Sequence, residues 1–453
     1  MFLYIYKICL ICETRIKMNF RNISYTINNS LCLGCGVCQS ACPQGAINII
    51  VNKGRFVPQI DNSKCKNSKG CHRCYEACPG VGIDLQRIAE EQFSAPDTKC
   101  DKWIGRYLKC FVGYSNDNDI RYHCASGGMV SQFLIFLLEK GYIDGAVVTA
   151  FDPTNELLVR SYIAHNREEV LRGKSSKYAP VSLHGMAQAI KQETGSRFVI
   201  VGLPCHIQGF RKLEAIDRKF REKITGYFAI YCSSGRTFYM TEHIFKEHKI
   251  EKEYLSYFAY RDEGCLGSMV AKQHCGDIVG RNSGKTNNKE KVFKERYQSY
   301  YHPRRSFFIP RRCLFCIDHY GELGDVCFGD IHIEPYMQDK IGINSLVVRT
   351  QKWLDLLKQA EGEGVVTLNE ISAETLNSSQ QMAGKKKGRN ARFIALNKRI
   401  GCAVPVYDVA LPQKIGIRTV VDYAQNRAQQ FLGSHKCLWW LVSLLKKDTS
   451  NLK

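Results

Sequence analysis

The chain lacks several features that would assign it to a common protein class. A helix that crosses a bilayer needs about 18 apolar residues, and no apolar run in this chain is that long. The longest, Met129–Leu138, contains Ser131 and Gln132. Only 12 prolines and 36 glycines occur in 453 residues, which excludes a collagen-like or low-complexity chain. Acidic residues are fewer than basic ones, 43 against 64, so the formal charge is +21. At 44% hydrophobic residues the chain can bury a large core, which excludes global disorder.

The N-terminus also lacks a convincing secretory signal. Met1–Leu10 is apolar, but Lys7 interrupts it and no small-residue cleavage site follows. We therefore expect a cytoplasmic location, and Met18 is an alternative start to Met1. Cys9 and Cys12 form a C-x-x-C pair in this segment, but a lone pair does not predict a site, so their role stays open.

Cysteine, in contrast, is abundant, with 22 residues. Such a number is typical either of a disulfide-rich secreted protein or of a metal protein in a reducing compartment. Disulfide-dense folds are mostly short, whereas this chain is long and has an ample core. We therefore expect thiols that are free or bound to metal.

Eight cysteines lie between residues 32 and 78 and form two similar runs. These runs are Cys32-x-x-Cys35-x-x-Cys38-x-x-x-Cys42-Pro43 and Cys65-x5-Cys71-x-x-Cys74-x-x-x-Cys78-Pro79. The first has the spacing of bacterial ferredoxins, in which the fourth cysteine binds the neighbouring cluster. A structural zinc site is the alternative, but it would not require two runs that are each closed by Cys-Pro. We predict two 4Fe-4S clusters, in a head that passes single electrons.

Cross-ligation assigns the eight cysteines to the two clusters. The first cluster takes Cys32, Cys35, Cys38 and Cys78, and the second takes Cys42, Cys65, Cys71 and Cys74. Five residues separate Cys65 from Cys71 where two are usual, so Cys65 departs most from the pattern. Short strands are predicted at Ala46–Ile50 and Phe56–Ile60, on either side of a turn.

Buried strands and an apolar helix follow the head. A helix is predicted over Gly127–Lys140, and the Ser126-Gly127-Gly128 turn at its start would either bind a phosphate or simply cap the helix. Strands are predicted at Ala146–Ala150, Phe198–Val201 and Tyr227–Tyr231. The last two lead into Cys205 and Cys232, at the strand ends where open α/β sheets place their chemistry.

A third group of cysteines is scattered along this body. Cys205, Cys232 and the pair Cys313-x-x-Cys316 could form one more four-thiolate site. The alternative is that Cys205 and Cys232 are ordinary buried thiols and that Cys313 and Cys316 are an unrelated pair. Spacing alone leaves both interpretations open.

The ordered set of motifs resembles a known family. The set comprises the two-run head, Ser126-Gly127-Gly128, Ser176-Lys177-Tyr178, Gly202-x-Pro204-Cys205, Cys232 and Cys313-x-x-Cys316 followed by Gly329-Asp330. This order is similar to that of the beta subunits of coenzyme F-420-reducing hydrogenase and related dehydrogenases. The resemblance covers about residues 28 to 350.

The resemblance implies an iron–sulfur flavoprotein oxidoreductase that exchanges hydride with coenzyme F-420 or another organic substrate. It implies a third 4Fe-4S cluster on Cys205, Cys232, Cys313 and Cys316, and an FAD site that includes Ser126, Gly127, Gly128, Lys177 and Tyr178. Lys177 is the candidate catalytic residue, since its charge would pair with pyrophosphate or stabilise a reduced, anionic flavin. Cys327 lies where no ligand is expected. The chain has no Gly-x-Gly-x-x-Gly fingerprint, so a standard NAD site is not supported.

Two other functions stay open. One is an electron-transfer relay subunit without flavin chemistry, and the other is an iron–sulfur-stabilised nucleic-acid or assembly protein. The basic stretches Arg281–Arg312 and Gly384–Arg399 fit nucleic-acid binding or solvated surface, but no nucleic-acid module is recognisable. Basic surface near a redox site favours a redox partner protein or an acidic electron carrier.

We expect a fold of the α+β or α/β class, with a bacterial two-cluster ferredoxin-like domain followed by a mixed α/β body. The expected divisions are an N-terminal extension (1–27), the ferredoxin-like domain (28–95), the two parts of the body (100–190 and 191–350) and a basic C-terminal region (351–453). Little chemistry is expected after residue 351. The apolar segment Cys437–Lys447 is too short to span a membrane, and it would lie on a membrane surface, dock on a partner or pack in the core.

Overall fold

The structure of the protein is a computed structural model that describes residues 21–152, 155–275 and 289–446. Cys9, Cys12, Met18 and the polar stretch at residues 281–288 lie outside the described residues, as does Lys447.

The cysteine-rich head consists of short elements around a hairpin. These elements are α1 (Ser24–Asn28), α2 (Val37–Ser40), β1 (Ile47–Asn52), β2 (Arg55–Ile60), α3 (Arg73–Glu76), β3 (Gly82–Ile83) and α4 (Leu85–Gln92). Strands β1 and β2 pair antiparallel, with Ile47 opposite Ile60, which confirms the two strands predicted here. Lys53 and Gly54 join them with φ of 47° and 69°, the backbone twist that two-residue hairpin turns require.

The first part of the body alternates strands and helices. Its elements are β4 (Lys99–Asp101), β5 (Gly105–Tyr107), β6 (Lys109–Ser115), α5 (Asn118–His123), α6 (Met129–Glu139), β7 (Gly145–Asp152), β8 (Asn155–Ala164), α7 (Arg167–Arg172), α8 (Met186–Gln192), β9 (Phe198–Gly202), α9 (Pro204–Ile216), α10 (Arg218–Arg221), β10 (Ile224–Ile230) and α11 (Phe238–His248). The predicted helix and the three predicted strands are present as α6, β7, β9 and β10.

The second part continues with β11 (Leu255–Asp262), β12 (Ser268–Cys275), β13 (Lys289–Arg296), α12 (Tyr297–Arg304), β14 (Val326–Asp330), β15 (Asn344–Val348), α13 (Gln351–Gly362), β16 (Val366–Ile371), α14 (Ala373–Ser379), α15 (Gln381–Lys385), α16 (Ala391–Arg399), β17 (Val406–Tyr407), α17 (Ile417–Ser434) and α18 (Trp439–Leu445). Between α15 and α16, Lys386–Asn390 form a π-helical turn.

Eight strands form the central sheet, in the order β16-β6-β15-β14-β10-β9-β7-β8. Strands β7, β9, β10 and β14 are parallel, and the other four add antiparallel edges on both sides. The carboxyl ends of the four parallel strands therefore meet at one edge of the sheet. Because β16 pairs with β6, the sheet extends past residue 350.

Successive side chains of a strand point to opposite faces of the sheet, so alternate residues of these strands enter two different cores. Val147, Ile200 and Ala229 face a core shared with α9 and with the head. Val148 and Phe228 face the opposite core, where α6 and α13 cover the sheet. Both faces are covered, so the strands are apolar throughout, as is usual for parallel strands.

A smaller antiparallel sheet, β11-β12-β13, packs with α11 and α12 around a third core. The C-terminal helix α18 contributes Trp439 and Val442 to this core, which agrees with the core-packing interpretation of that segment. Trp440 and Leu444 on the same helix are exposed. Among the described residues no helix combines the length and the apolar character that crossing a bilayer demands.

Phe133 of α6 tests how far the body depends on the core between α6 and the sheet. Its ring is fully buried, stacks on Phe228 at 5.6 Å and meets the edge of Trp353 at 6.3 Å. Removing such a ring leaves a cavity that costs about 3–5 kcal/mol, so Phe133→Ala should lower the thermal unfolding midpoint of the anaerobic protein clearly. Phe431→Ala, at a half-exposed ring on α17, is the matched control and should leave the midpoint almost unchanged. Equal shifts in the two variants would contradict this account.

Candidate iron–sulfur and flavin sites

Two cavities in the head are each lined by four cysteines. Cys32, Cys35, Cys38 and Cys78 line the first, together with the glycines of the loop that holds them. Cys42, Cys65, Cys71 and Cys74 line the second. These are the two sets expected from cross-ligation, and the insertion between Cys65 and Cys71 is an exposed loop with a short 3-10 turn at Asn67–Lys69.

The electrostatics of these cysteines favour a cationic occupant. Burial, together with the nearby Cys78, raises the pKa of Cys32 to about 11. Burial also raises the pKa of Cys74 to about 11, with Cys42, Cys71 and Cys65 adding to the effect. Thiolates are the form that binds metal, so a positively charged iron–sulfur core would relieve both the burial cost and the mutual repulsion.

The loops donate backbone amides to the sulfur atoms, as cluster-binding loops do. The Gly34 amide lies 3.4 Å from Cys32 Sγ, and the Ala46 amide lies 3.3 Å from Cys42 Sγ. A Cβ at Gly80 would lie 3.1 Å from Cys78 Sγ and only 2.6 Å from the Leu31 carbonyl, so this position needs glycine. None of the described cysteines is in a disulfide, and no group of three or more described His, Cys, Asp or Glu side chains is arranged to hold a single metal ion.

The third cysteine group is assembled by the central sheet. Cys205 lies in the first turn of α9, directly after β9, and Cys232 follows the neighbouring parallel strand β10. Cys313 and Cys316 lie at a 3-10 turn spanning Arg311–Phe315. Burial raises the pKa of Cys205, and the neighbouring Cys232, Cys35, Cys316 and Cys313 raise it further, so the four predicted cysteines are together.

Two residues that the sequence analysis missed complete this third group. Lys386 Nζ lies 3.3 Å from Cys316 Sγ, and the Asn390 side chain donates to the Cys313 and Cys316 carbonyls at 3.3 and 2.9 Å. The region after residue 351, where little chemistry was expected, thus reaches the cysteine pair. No local pattern marks these two residues, because their partners lie about 70 positions earlier in the chain. Cys327, in contrast, is a core thiol of β14 that contacts the Gly321 carbonyl at 3.2 Å.

The head is joined to the third group by direct contacts. The Leu183 amide donates to the Cys35 carbonyl at 2.9 Å, and Cys35 is among the thiols that raise the pKa of Cys205. Arg312, next to Cys313, donates to the Pro79 carbonyl at 3.0 Å. The first cavity of the head therefore adjoins the third cysteine group.

The Ser126-Gly127-Gly128 turn lies at the carboxyl edge of the sheet. Ser126 and Gly128 have left-handed φ values of 56° and 72°, and Ser126 is buried. The side-chain oxygen of Asn344 accepts from the Gly127 and Met129 amides at 3.0 and 3.1 Å. Part of the helix start is thus capped within the chain, but by Asn344 and not by the turn itself, since the N-cap residue is Gly128, which has no side chain to cap the helix.

Lys177 is enclosed by its own loop. Its ammonium contacts the carbonyls of Gly173, Lys174 and Ser175 at 2.5, 2.6 and 3.0 Å. Burial lowers the pKa of Lys177 to about 7, the Cys124 thiol opposes this shift, and Lys174 adds to it. Cys124 precedes the Ser126 turn, so the two predicted groups of flavin-site residues adjoin each other.

Tyrosines and arginines fill the space beside Lys177. The Tyr178 ring lies 4.4 Å from that of Tyr301, which stacks on Tyr297 at 4.9 Å. Arg261 is buried, pairs with Asp330 at 2.9 Å, and its Nη2 atom has no hydrogen-bond partner among the described residues. A buried guanidinium N–H without an acceptor is suited to an anionic ligand. Tyr178 was predicted as a site residue, whereas Tyr297, Tyr301 and Arg261 were not.

Gly329 and Asp330, the pair in the family resemblance, end strand β14 at the same edge. A Cβ at Gly329 would lie 2.0 Å from the Tyr231 ring, so only glycine fits there. Arg236 donates to the Tyr301 hydroxyl at 2.6 Å, and Cys232 is near enough to raise the pKa of Tyr301 slightly. The tyrosine cluster therefore adjoins the third cysteine group.

Comparison with protein-family models decides the family. The model for the C-terminal part of the coenzyme F-420 hydrogenase/dehydrogenase beta subunit matches residues 195–374, and the model for the N-terminal part of the same protein matches residues 110–188. A 4Fe-4S dicluster domain matches residues 26–102. The first two models together match more than half of the chain. The chain belongs to the coenzyme F-420 hydrogenase/dehydrogenase beta-subunit family.

Individual members of the beta-subunit family are distant relatives. A coenzyme F-420-dependent sulfite reductase of Methanocaldococcus jannaschii is 24% identical over 360 residues, which are 76% of this chain and 48% of that protein. This chain therefore spans about half the length of that relative. The coenzyme F-420 hydrogenase subunit beta of Methanosarcina barkeri is 20% identical over 312 residues, which are 66% of this chain and 96% of that protein.

A solved structure shares the fold. A chain of the coenzyme F-420-reducing [NiFe] hydrogenase complex from Methanosarcina barkeri superposes with a TM-score of 0.52 at 18% identity, covering 68% of this chain and 98% of that one. The predicted family, the dicluster head and the mixed α/β body are thus confirmed. The chain is an iron–sulfur protein of an oxidoreductase family.

The pKa of Lys177 gives a test in the apoprotein. Because its pKa is about 7 in the folded state against 10.5 ordinarily, the folded state binds fewer protons than the unfolded state between these two pH values. The penalty for burying this charge is complete below pH 7 and disappears as the pH rises towards 10.5, so Lys177 makes stability rise with pH in that window. In Lys177→Met this contribution should be absent, and denaturant midpoints at about pH 7 and about pH 9 should differ less than in the wild type.

Lys385→Met, at an exposed lysine, is the control for the loss of a charge and should keep the wild-type pH dependence. If Lys177→Met and the wild type show parallel pH dependence, the ammonium is not desolvated in the folded protein.

Proposed function

We propose that the chain is an iron–sulfur flavoprotein that passes electrons between 4Fe-4S clusters and FAD and exchanges hydride with coenzyme F-420 or another organic substrate. The observation that carries the proposal is the succession of three four-cysteine groups leading from the head to the tyrosine and arginine cluster at the edge of the sheet. When bound, FAD would supply the conversion between single-electron and hydride chemistry.

In the head, each cavity would hold one cluster through the four cysteines that line it. Cys32, Cys35, Cys38 and Cys78 would bind the first, and Cys42, Cys65, Cys71 and Cys74 would bind the second. The apolar side chains packed around these sulfurs, such as Ile23 and Ile47, exclude water from both sites. Exclusion of water matters because solvent exposure is one of the factors that set the reduction potential of a cluster.

A third 4Fe-4S cluster would be bound by Cys205, Cys232, Cys313 and Cys316. Their donor set fits such a cluster, since four thiols meet without a disulfide and Cys313 Sγ accepts the Gly235 amide at 3.3 Å. The closeness of Cys35 to Cys205, which is near enough to raise the pKa of Cys205, supports electron exchange with the first cluster of the head.

The flavin site is proposed at the carboxyl edge of the parallel strands. Tyr178 and Tyr301 would pack against an aromatic ring system, and the free N–H of Arg261 would donate to an anionic group. Ser126, Gly127 and Gly128 stay candidates for phosphate contacts through amides that Asn344 does not cap. Lys177 stays the candidate catalytic residue, but it would have to exchange carbonyl contacts of its own loop for contacts with the flavin.

A second candidate function is an electron relay without flavin. Two contacts favour this function: Asn344 caps the helix start, and Lys177 makes its hydrogen bonds within its own loop. Under this function, Asn344 and Lys177 have structural roles only. No contact in the described part of the chain favours the nucleic-acid or assembly alternative.

The partner is proposed to be a redox protein or an acidic electron carrier. The solved relative belongs to a multi-subunit hydrogenase complex, and the net charge of +21 would attract an acidic partner. The exposed face of α18 stays a candidate contact with a membrane surface or a partner.

Cofactor content separates these functions. Protein purified without oxygen should contain about twelve iron atoms per chain, four for each cluster, and one FAD released on denaturation and identified by its absorbance and mass. Twelve iron atoms without FAD would leave the relay function. About eight iron atoms with FAD would remove the third cluster.

Replacement of one cysteine tests the third ligand set. Cys313→Ser should lower the iron content by about four atoms and leave the electron paramagnetic resonance signals of the head intact, because the head binds its clusters through other cysteines. Cys327→Ser is the matched control, since it changes a buried cysteine that is not a proposed ligand and should keep all iron. Unchanged iron in Cys313→Ser would show that the ligand assignment is wrong.

A further inference from the structure

Lys386 is a buried ammonium without a carboxylate partner. It is 1% exposed, and its Nζ atom contacts only the Asp318 carbonyl at 2.6 Å and Cys316 Sγ at 3.3 Å among the hydrogen bonds of the described residues. The Asp318 carboxylate instead accepts from the Gly321 and Glu322 amides and from Gln208. A buried charge is strongly unfavourable unless negative charge lies nearby, so the neighbouring sulfur atoms, as metal-bound thiolates, would balance it together with the nearby Asp318 carboxylate.

The third cysteine group differs in this respect from the two groups of the head. The side-chain and amide donors to sulfur in the head are neutral, namely the Gly34 and Ala46 amides and the Asn22 side chain. In the third group a lysine ammonium reaches the sulfur directly. Hydrogen bonds and net charge around the sulfurs are among the factors that set cluster potentials.

The element that carries Lys386 is built to hold it there. The π-helical turn Lys386–Asn390 is fixed by the Asn390 side chain, which donates to the carbonyls of both cysteines of the pair. The neighbouring lysines point elsewhere, since Lys387 pairs with Glu322 at 2.8 Å and Lys385 is exposed. Single-turn π-helical segments are frequent at functional sites. The match to the family models ends at residue 374, so this turn lies outside the family domains.

We propose that Lys386 is a positioning residue that compensates the negative charge of the third site and raises its reduction potential. Reduction of a cluster adds one electron and no proton, so the bound site becomes more negative by one charge. A fixed ammonium beside Cys316 stabilises that reduced state more than the oxidised state. The C-terminal region thereby sets the potential of a site whose ligands come from the family domains. This inference rests on the third cluster of the proposed function.

The test compares Lys386→Met, Lys386→Arg and the exposed-lysine control Lys385→Met as full-length proteins purified without oxygen. Two quantities are measured, the iron content and the midpoint potential of the third cluster from a redox titration followed by electron paramagnetic resonance. The signal that disappears in Cys313→Ser identifies the third cluster. In Lys386→Met the ratio of reduced to oxidised third cluster at a fixed potential should fall at least about tenfold. For a one-electron couple, a tenfold fall corresponds to a midpoint potential that is about 59 mV lower. Lys386→Arg and Lys385→Met should stay close to the wild type.

The iron content separates the remaining outcomes. Loss of four iron atoms in Lys386→Met but not in Lys386→Arg would also support the inference, because the site then requires a cation. Loss in both variants, or an unchanged midpoint in Lys386→Met with twelve iron atoms, would overturn it. If the wild type itself holds only eight iron atoms, the third cluster of the proposed function is contradicted, and the role of Lys386 falls with it.

Discussion

Parallel pairing of β9, β10 and β14 is the constraint on which the chemistry of the body depends. Parallel strands all end at the same edge of a sheet, so segments far apart in the chain are brought together there. Cys205, Cys232 and the Gly329-Asp330 pair all follow or end such strands. If these strands were antiparallel, the residues that follow neighbouring strands would lie at opposite edges of the sheet. The antiparallel strand β15 also contributes to this edge, since its first residue, Asn344, binds the Ser126-Gly127-Gly128 turn there.

Compensation of charge is the second constraint. Each cysteine group collects four thiols that must ionise to bind metal, and thiolates in a largely desolvated place are tolerable only if positive charge accompanies them. In the head, that charge would come mainly from iron, with Arg55 near Cys32 and Lys212 near Cys78 adding to it. At the third group, the buried ammonium of Lys386 and the guanidinium of Arg312 lie close by. Part of the formal excess of basic residues thus lies inside the molecule, beside sulfur atoms, and not on its surface.

The sequence predicted those parts of the protein that depend on local spacing. The cysteine runs of the head identify a dicluster domain because the cysteines of each run are close together in the chain, and the short apolar runs at β7, β9 and β10 identify buried strands. Contacts between distant residues were not predictable. Asn344 reaches the Gly127 amide across 217 positions, and Lys386 reaches Cys316 across 70. Neither residue belongs to a repeating pattern or a known motif, so only the folded chain reveals its partner.

The head is not a separable module. Leu31, Val37 and Leu85 of the head share a continuous core with Leu183, Ile207 and Phe210 of the body, and Arg312 ties the Pro79 loop to the third cysteine group. Many redox proteins carry a cluster on a swinging domain, and their turnover then waits for that domain to travel. Here the spacing between the first and third cysteine groups is fixed by packing. Under the proposed function, electrons passing between these two sites would cross a constant gap by tunnelling, at a rate insensitive to solvent viscosity.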